Sequence, residues 1–208
     1  MLLTPLLLDT DESPTGARHY LTPIGRLPSV TTVLAATRCS QADAPWQRGG
    51  RAGLDARARA RGVAVHDQVA TWLTTGQVPL GASPFLGSLR GFVGRLQSVA
   101  LVEGAVWHES GFGGRVDCVA EVDGVLSVID WKTARSPRSA GWVADDHLQV
   151  GAYGAAVEAR YGVRISRGFV VVALWDRAAQ VFETGSLDGA YRGFVDRLGR
   201  YRAGARAA

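Results

Sequence analysis

Residues 115–132 read RVDCVAEVDGVLSVIDWK. Two apolar runs flank Asp123-Gly124, and Asp-Gly at such a junction signals a two-residue hairpin turn, in which both central residues take positive φ. With that turn, opposed residue numbers sum to 247: Val122 faces Val125, Ala120 faces Ser127, Cys118 faces Ile129 and, further out, Asp117 faces Asp130. Directly opposed side chains share a face, with Cβ atoms about 4.5–5.5 Å apart. Two carboxylates about 5 Å apart at an effective dielectric near 20 repel by roughly 3 kcal/mol. A shared proton or a divalent cation offsets that cost.

Strand alternation puts Lys132 on the face of Asp130, and the same register sets Arg115 opposite Lys132. Lys132 is the single lysine among the 23 basic residues of the chain. A coding bias toward arginine explains the scarcity but not this one exception. Lysine is a compact charge with a tunable pKa, whereas arginine is a broad, permanently charged fork. Two carboxylates and a lysine suit phosphoryl chemistry: a cation polarises the phosphate, and the ammonium orients the nucleophile or meets growing negative charge. The alternative is an ordinary surface hairpin, with Asp117 neutralised by Arg115 and with Asp130 and Lys132 solvated. A bulge would shift the pairing.

Outward from the hairpin, the pattern predicts strands at 104–110, 114–122 and 125–131. Before them come an amino-terminal strand or hairpin, a helix starting near Pro28-Ser29 with serine as its cap, a loop at 40–50, a long helix ended by Gly76, and an amphipathic helix over 89–100. After them come a helix over DDHLQVGAYGAAVEARYG, a buried strand RGFVVVALW, an edge strand AQVFETG and a closing helix. The order α-βββ-α-β gives an α/β fold with a mixed central sheet flanked by helices.

The chain has 208 residues, is 47% hydrophobic and 20% charged, and carries a formal net charge of +4, which is ordinary globular composition with room for a polyanionic partner. Cys39 and Cys118 lack CxxC spacing, which argues against a structural zinc site or a four-cysteine cluster. Pro5 interrupts the apolar amino terminus, and no run approaches 18 apolar residues, so the expectation is a cytoplasmic protein without membrane contact.

Four motifs in order, HDQVATWL around His66, GFGGRVD ending at Asp117, IDWK at Asp130–Lys132 and QVGAY from Gln149 to Tyr153, resemble the PD-(D/E)XK nuclease superfamily, and within it the RecB-like exonuclease branch. HYLTPIGRLPSVTTVL and Trp46 are similar to phage and bacterial relatives of the mitochondrial genome maintenance exonuclease, so the likeness spans about residues 19–155. The resemblance implies a restriction-endonuclease-like core and a single nuclease domain over 1–208, with 1–50 attached to it. It implies Mg2+ or Mn2+ held by Asp117, Asp130, the main-chain carbonyl of Trp131 and His66. Asp117, Asp130 and Lys132 are then the catalytic set. His66 alternatively steers the substrate phosphate.

By the same resemblance Gln149 and Tyr153, one helical turn apart, brace the site and contact DNA, although a tyrosine packed into the core fits the same spacing. Ser29 and Thr31, with Thr32, would meet phosphates at a helix start, or simply cap it. Arg115 is expected at the DNA; Arg135 and Arg138 could meet its backbone or be solvated loop arginines, and Trp142 and His147 are open in the same way. Glu103 precedes the first strand, about where many relatives carry a glutamate, and Glu109 is nearer Asp117 in sequence. The implied activity is a metal-dependent exonuclease on DNA with single-stranded or free ends, in phage or bacterial recombination, replication or repair. The alternatives are a structure-specific or restriction-like endonuclease and a non-catalytic DNA-binding subunit.

Overall fold

The Asp123-Gly124 turn forms with both residues at positive φ, 51° and 81°. The structure, a computed structural model, describes residues 2–13, 16–38 and 51–207; the loop read at 40–50, with Trp46, and Cys39 lie outside the described residues. From the turn, strands β5 (Phe112–Val122) and β6 (Val125–Ala134) pair antiparallel in the expected register, from Val122↔Val125 to Cys118↔Ile129. Arg95 holds the turn through its ion pair with Asp123, at 2.5 Å.

The remaining elements complete two sheets. Strands β1 (Thr10–Glu12), β2 (Arg18–Thr22) and β3 (Gly25–Pro28) form a small antiparallel sheet. Helices α1 (Val30–Ala36), α2 (Arg51–Thr75), α3 (Pro84–Ser88) and α4 (Arg90–Val93) follow, then β4 (Leu96–His108). After β6, a 3-10 turn at Ala140–Val143 leads into α5 (Ala144–Tyr161), β7 (Arg167–Leu174), β8 (Gln180–Glu183) and α6 (Leu187–Ala207). The main sheet has the order β4-β5-β6-β7-β8, with β6 and β7 parallel and every other pair antiparallel. It is the mixed sheet that the order α-βββ-α-β led one to expect.

One segment departs from the sequence reading. Residues 89–100 are not one amphipathic helix: the helix stops at Val93 and β4 starts at Leu96. Gly91 and Gly94 weaken a helix there. Two register shifts against β5, between Leu96 and Ser98 and between Val99 and Leu101, break the period-two alternation that would have marked a strand.

Apolar side chains cover both faces of the sheet, so its central strands β5, β6 and β7 are buried on both sides. Val116, Val128, Val170 and Val172 pack with α1, α5 and α6, while Cys118, Ile129, Trp131, Phe169 and Val171 pack with α2, α3 and α4. A Cβ at Gly151 would collide with Ala190, so the lack of a side chain lets α5 lie close on α6. Arg197 is a buried cation with filled donors: it reaches Thr37 Oγ1 at 2.6 Å, Asp145 Oδ1 at 3.0 Å and the Leu34 carbonyl at 2.7 Å. Such satisfaction is what makes a buried charge tolerable, and it ties α6 to α1 and α5. The amino-terminal segment joins the main sheet through bridges at Leu6↔Ala105 and Ser29↔Gly113. No helix among the described residues is long and apolar enough to cross a membrane.

Candidate active site

The hairpin ladder ends at Cys118↔Ile129, one pair short of Asp117 and Asp130. The reason is chemical: Asp117 Oδ2 accepts the Trp131 backbone N–H at 2.8 Å, so a side chain takes the donor that a neighbouring strand would use. The two carboxylates therefore end in adjoining but different settings.

Asp117 faces α2 and β4. Its Oδ2 lies 3.6 Å from His66 Nδ1, and Glu103 Oε1 lies 3.7 Å from the same nitrogen. One ligand atom from each of His66, Glu103 and Asp117 falls within 4.8 Å of the others. The other ring nitrogen, Nε2, is 2.7 Å from the Trp131 carbonyl. In the neutral ring a donor Nε2–H leaves Nδ1 free to coordinate, the arrangement typical of metal-ligating histidines. A carbonyl carries two lone pairs, so the Trp131 oxygen keeps one beside the cluster.

Asp130, fully buried, faces α5 instead. Oδ1 accepts from Gln149 Nε2 at 2.6 Å, and Oδ2 lies 2.7 Å from Lys132 Nζ. Lys132 also lies 3.4 Å from Gln149 Oε1 and 3.4 Å from Asp146 Oδ1. Asp146 was not singled out from the sequence, although it sits three residues before Gln149 and so shares its helix face.

These surroundings set the charges. Burial opposes ionisation of His66, but Asp117, Glu103 and Asp130 outweigh it and raise its pKa to about 9. Burial pushes Asp130 up to about 6, against the pull of Lys132. Burial likewise raises Asp117 against His66 and Lys132. Lys132 resists burial because Asp130, Asp146 and Asp117 hold its pKa above the ordinary lysine value. It is therefore an ammonium at neutral pH, a charge for a phosphate rather than a base.

Other residues singled out from the sequence lie around this centre. Arg115 does not meet Lys132: beyond Cys118↔Ile129 the strands part, and its guanidinium lies 3.8 Å from Glu103 Oε2, largely exposed. Glu103 does not precede the first strand but sits inside β4, at a φ of 49°. Tyr153 is buried, and its ring occupies the space a Cβ on Gly114 would need. Buried Ser29 caps α1, accepting from the Thr32 N–H at 3.0 Å and bonding Thr31 Oγ1 at 3.0 Å. Arg135 is exposed just beyond β6. Glu109, the other acid near Asp117 in sequence, is instead paired with Arg160.

The donor set suits a hard divalent cation. It offers carboxylate oxygens, an imidazole and a carbonyl, without a thiolate. The carboxylates of Glu103, Asp117, Asp130 and Asp146 outnumber the cations Lys132, His66 and the Arg115 guanidinium at 3.8 Å from Glu103, so positive charge is in deficit.

A mixed sheet carrying an acidic cluster and a lysine at the mouth of an antiparallel hairpin defines a class. The profile of the PD-(D/E)XK nuclease superfamily matches residues 56–179, and the chain belongs to that superfamily. Mitochondrial genome maintenance exonuclease 1 of Mus musculus is 38% identical over 96 residues, 44% of this chain and 28% of its own length. The Homo sapiens protein of the same name is 37% identical over 98 residues, 45% of this chain and 28% of its own. The chain thus spans little more than a quarter of these relatives. The solved structure "Crystal structure of SSO0001" is similar over 56% of this chain and 53% of that chain, at 21% identity and a TM-score of 0.33, too low for comparing sites.

Proposed function

We propose that this protein is a metal-dependent DNA exonuclease of the RecB-like type, a single nuclease domain that hydrolyses phosphodiester bonds at free, single-stranded ends with Mg2+ or Mn2+. The observation that carries the reading is the convergence of His66, Glu103 and Asp117 beside the Asp130–Lys132 pair, at 2.7 Å. Its relatives carry the word exonuclease in their names, which favours end-directed over internal cleavage.

Asp117, His66, Glu103 and the Trp131 carbonyl would hold the cation, with Asp130 completing the shell. When bound, it supplies Lewis acidity to a phosphate oxygen and lowers the pKa of nearby water. Lys132 presents a permanent positive charge to the scissile phosphate, where charge grows as water oxygen bonds to phosphorus and the ester oxygen leaves. Gln149 fixes Asp130 and Lys132 relative to each other, and Tyr153 packs beneath them against Gly114. Arg115, Arg135 and Thr31 would contact phosphates; Ser29 acts through the cap. A cytoplasmic role in bacterial or phage DNA recombination, replication or repair fits this activity.

The test uses end-labelled linear DNA and closed circular single-stranded DNA, each with Mg2+, Mn2+ or chelator. An exonuclease degrades the linear strand with metal only and leaves the circle intact. Cleavage of the circle makes it an endonuclease, and cation-dependent binding without products makes it a DNA-binding subunit.

A further inference from the structure

The parallel pair β6–β7 ends at Ala134↔Leu174, so Arg135 and Trp175 leave the sheet side by side, about 4.8 Å apart in strand spacing. Ligands of open α/β sheets gather at this carboxyl edge. Trp175 is 56% exposed, and its ring meets Phe85 edge-on at 5.3 Å. The guanidinium of Arg61 lies 5.3 Å over the same Phe85. On the other side, Arg138 lies 4.6 Å over Trp142, which is 43% exposed. Arg61 feels both Arg135 and Arg138 as like charges. Among the described residues none of the three arginines has a carboxylate within salt-bridge distance, and the buried Nε atoms of Arg61 and Arg138 have no hydrogen-bond partner.

Two like charges facing Arg61, with no carboxylate to offset them, cost stability unless an anion meets the group. Interleaved exposed indoles add what a simple phosphate has no use for. The loop is also held in place before any ligand arrives, because the Arg138 N–H donates to Gln180 Oε1 at 2.6 Å and Gln180 Nε2 donates back to the Arg138 carbonyl at 3.1 Å. We infer that Arg61, Arg135, Arg138, Trp142 and Trp175 form a track for a single nucleic-acid strand, with phosphates on the arginines and unpaired bases stacked on the tryptophans. The track begins three residues beyond Lys132 and, along α2, five residues or about 7.5 Å of helix axis from His66. It therefore continues directly from the proposed centre. This inference rests on the nuclease reading and deepens it: a duplex, whose base faces are covered, has nothing to offer the two indoles.

The experiment is fluorescence anisotropy of a labelled oligothymidylate of about 20 nucleotides, longer than the ~4–16 that a stacking groove spans, in chelator so that nothing is cut. A blunt duplex runs alongside. Trp142→Ala and Trp175→Ala are each expected to weaken single-strand binding about tenfold and to leave duplex binding unchanged, while Trp142→Phe retains most of the affinity. The double variant Arg135→Ala/Arg138→Ala should lower the logarithmic salt slope by about 1.4, at ~0.7 per lost single-strand phosphate contact. Unchanged single-strand affinity in both tryptophan variants, or equal weakening on the duplex, overturns the track. Hydrolysis of the p-nitrophenyl ester of thymidine 5′-phosphate with Mn2+ reads the centre alone. If both tryptophan variants retain it while strand binding is unaltered, the track fails and the nuclease stands; strand binding as expected without ester or DNA hydrolysis by the unaltered protein leaves the track and removes the nuclease.

Discussion

In the absence of a cation, His66 holds a proton where its Nδ1 is proposed to coordinate, and the two compete. With a pKa of about 9, roughly one molecule in 100 has a neutral ring at pH 7, because protonation falls tenfold per pH unit. Displacing that proton costs about 3 kcal/mol at pH 7 and about half as much at pH 8, and metal binding inherits the cost. The sign follows: affinity rises with pH, and the apparent dissociation constant for Mn2+ should fall about tenfold between pH 7 and pH 8, with close to one proton released per cation. Asp130, at about 6, is already ionised over this interval and adds little slope. Isothermal titration of the DNA-free protein in buffers of different ionisation heat measures both quantities. His66→Gln should bind more weakly at high pH but with a flat dependence. A dissociation constant that is the same at pH 7 and pH 8, with no proton released, would show that His66 keeps its charge and is no ligand. It would then be a cation steering the phosphate.

Three further substitutions address the opposite side of the centre. Asp130→Asn should abolish turnover on end-labelled DNA, and unaltered activity would remove Asp130 from the site; Lys132→Arg should lose about 100-fold in single-turnover rate, since the fork does not fit between Asp130, Gln149 and Asp146. Gln149→Leu deprives the buried Asp130 of its 2.6 Å donor: an activity loss of about 10–100-fold is expected, together with about 1–3 kcal/mol of stability lost in chemical denaturation, whereas a change in stability alone would make Gln149 merely structural.

What the sequence made legible was what local chemistry dictates. Asp123-Gly124 announced its turn because few other pairs accept two positive φ values, and five ladder pairs followed from it. The sixth failed because the Asp117 carboxylate takes the Trp131 N–H, an interaction that no alternation rule contains. The pairing therefore brought the two acids into adjoining positions but set them against different partners: Asp117 with His66, Asp130 with Lys132 and Gln149. Asp146 was hidden because its importance depends on where α5 docks. Trp175 and Arg61 meet the Arg135 loop only through long-range pairing of β6 with β7 and packing of α2 onto Phe85, neither of which leaves a mark in local sequence.

Glu103 was hardest to place, and the reason makes it testable. Its position depends on two register shifts in β4, and it sits at a φ of 49°, where a side chain costs about 1–2 kcal/mol that glycine escapes. Its carboxylate also faces Asp117 across His66, adding repulsion when no cation is bound. Strain and like charge at one residue indicate a position shaped by function at the expense of stability. Two substitutions separate the contributions: Glu103→Ala removes the charge but retains the strained backbone, and Glu103→Gly removes both. In chelator, glycine should be the more stable of the two by about 1 kcal/mol in denaturant melts, a margin trimmed by glycine's freer unfolded chain, and both variants should need far more Mn2+ for activity. If alanine proves as stable as glycine, the backbone at 103 is not held at positive φ, and the placement of this carboxylate beside His66 and Asp117 falls with it.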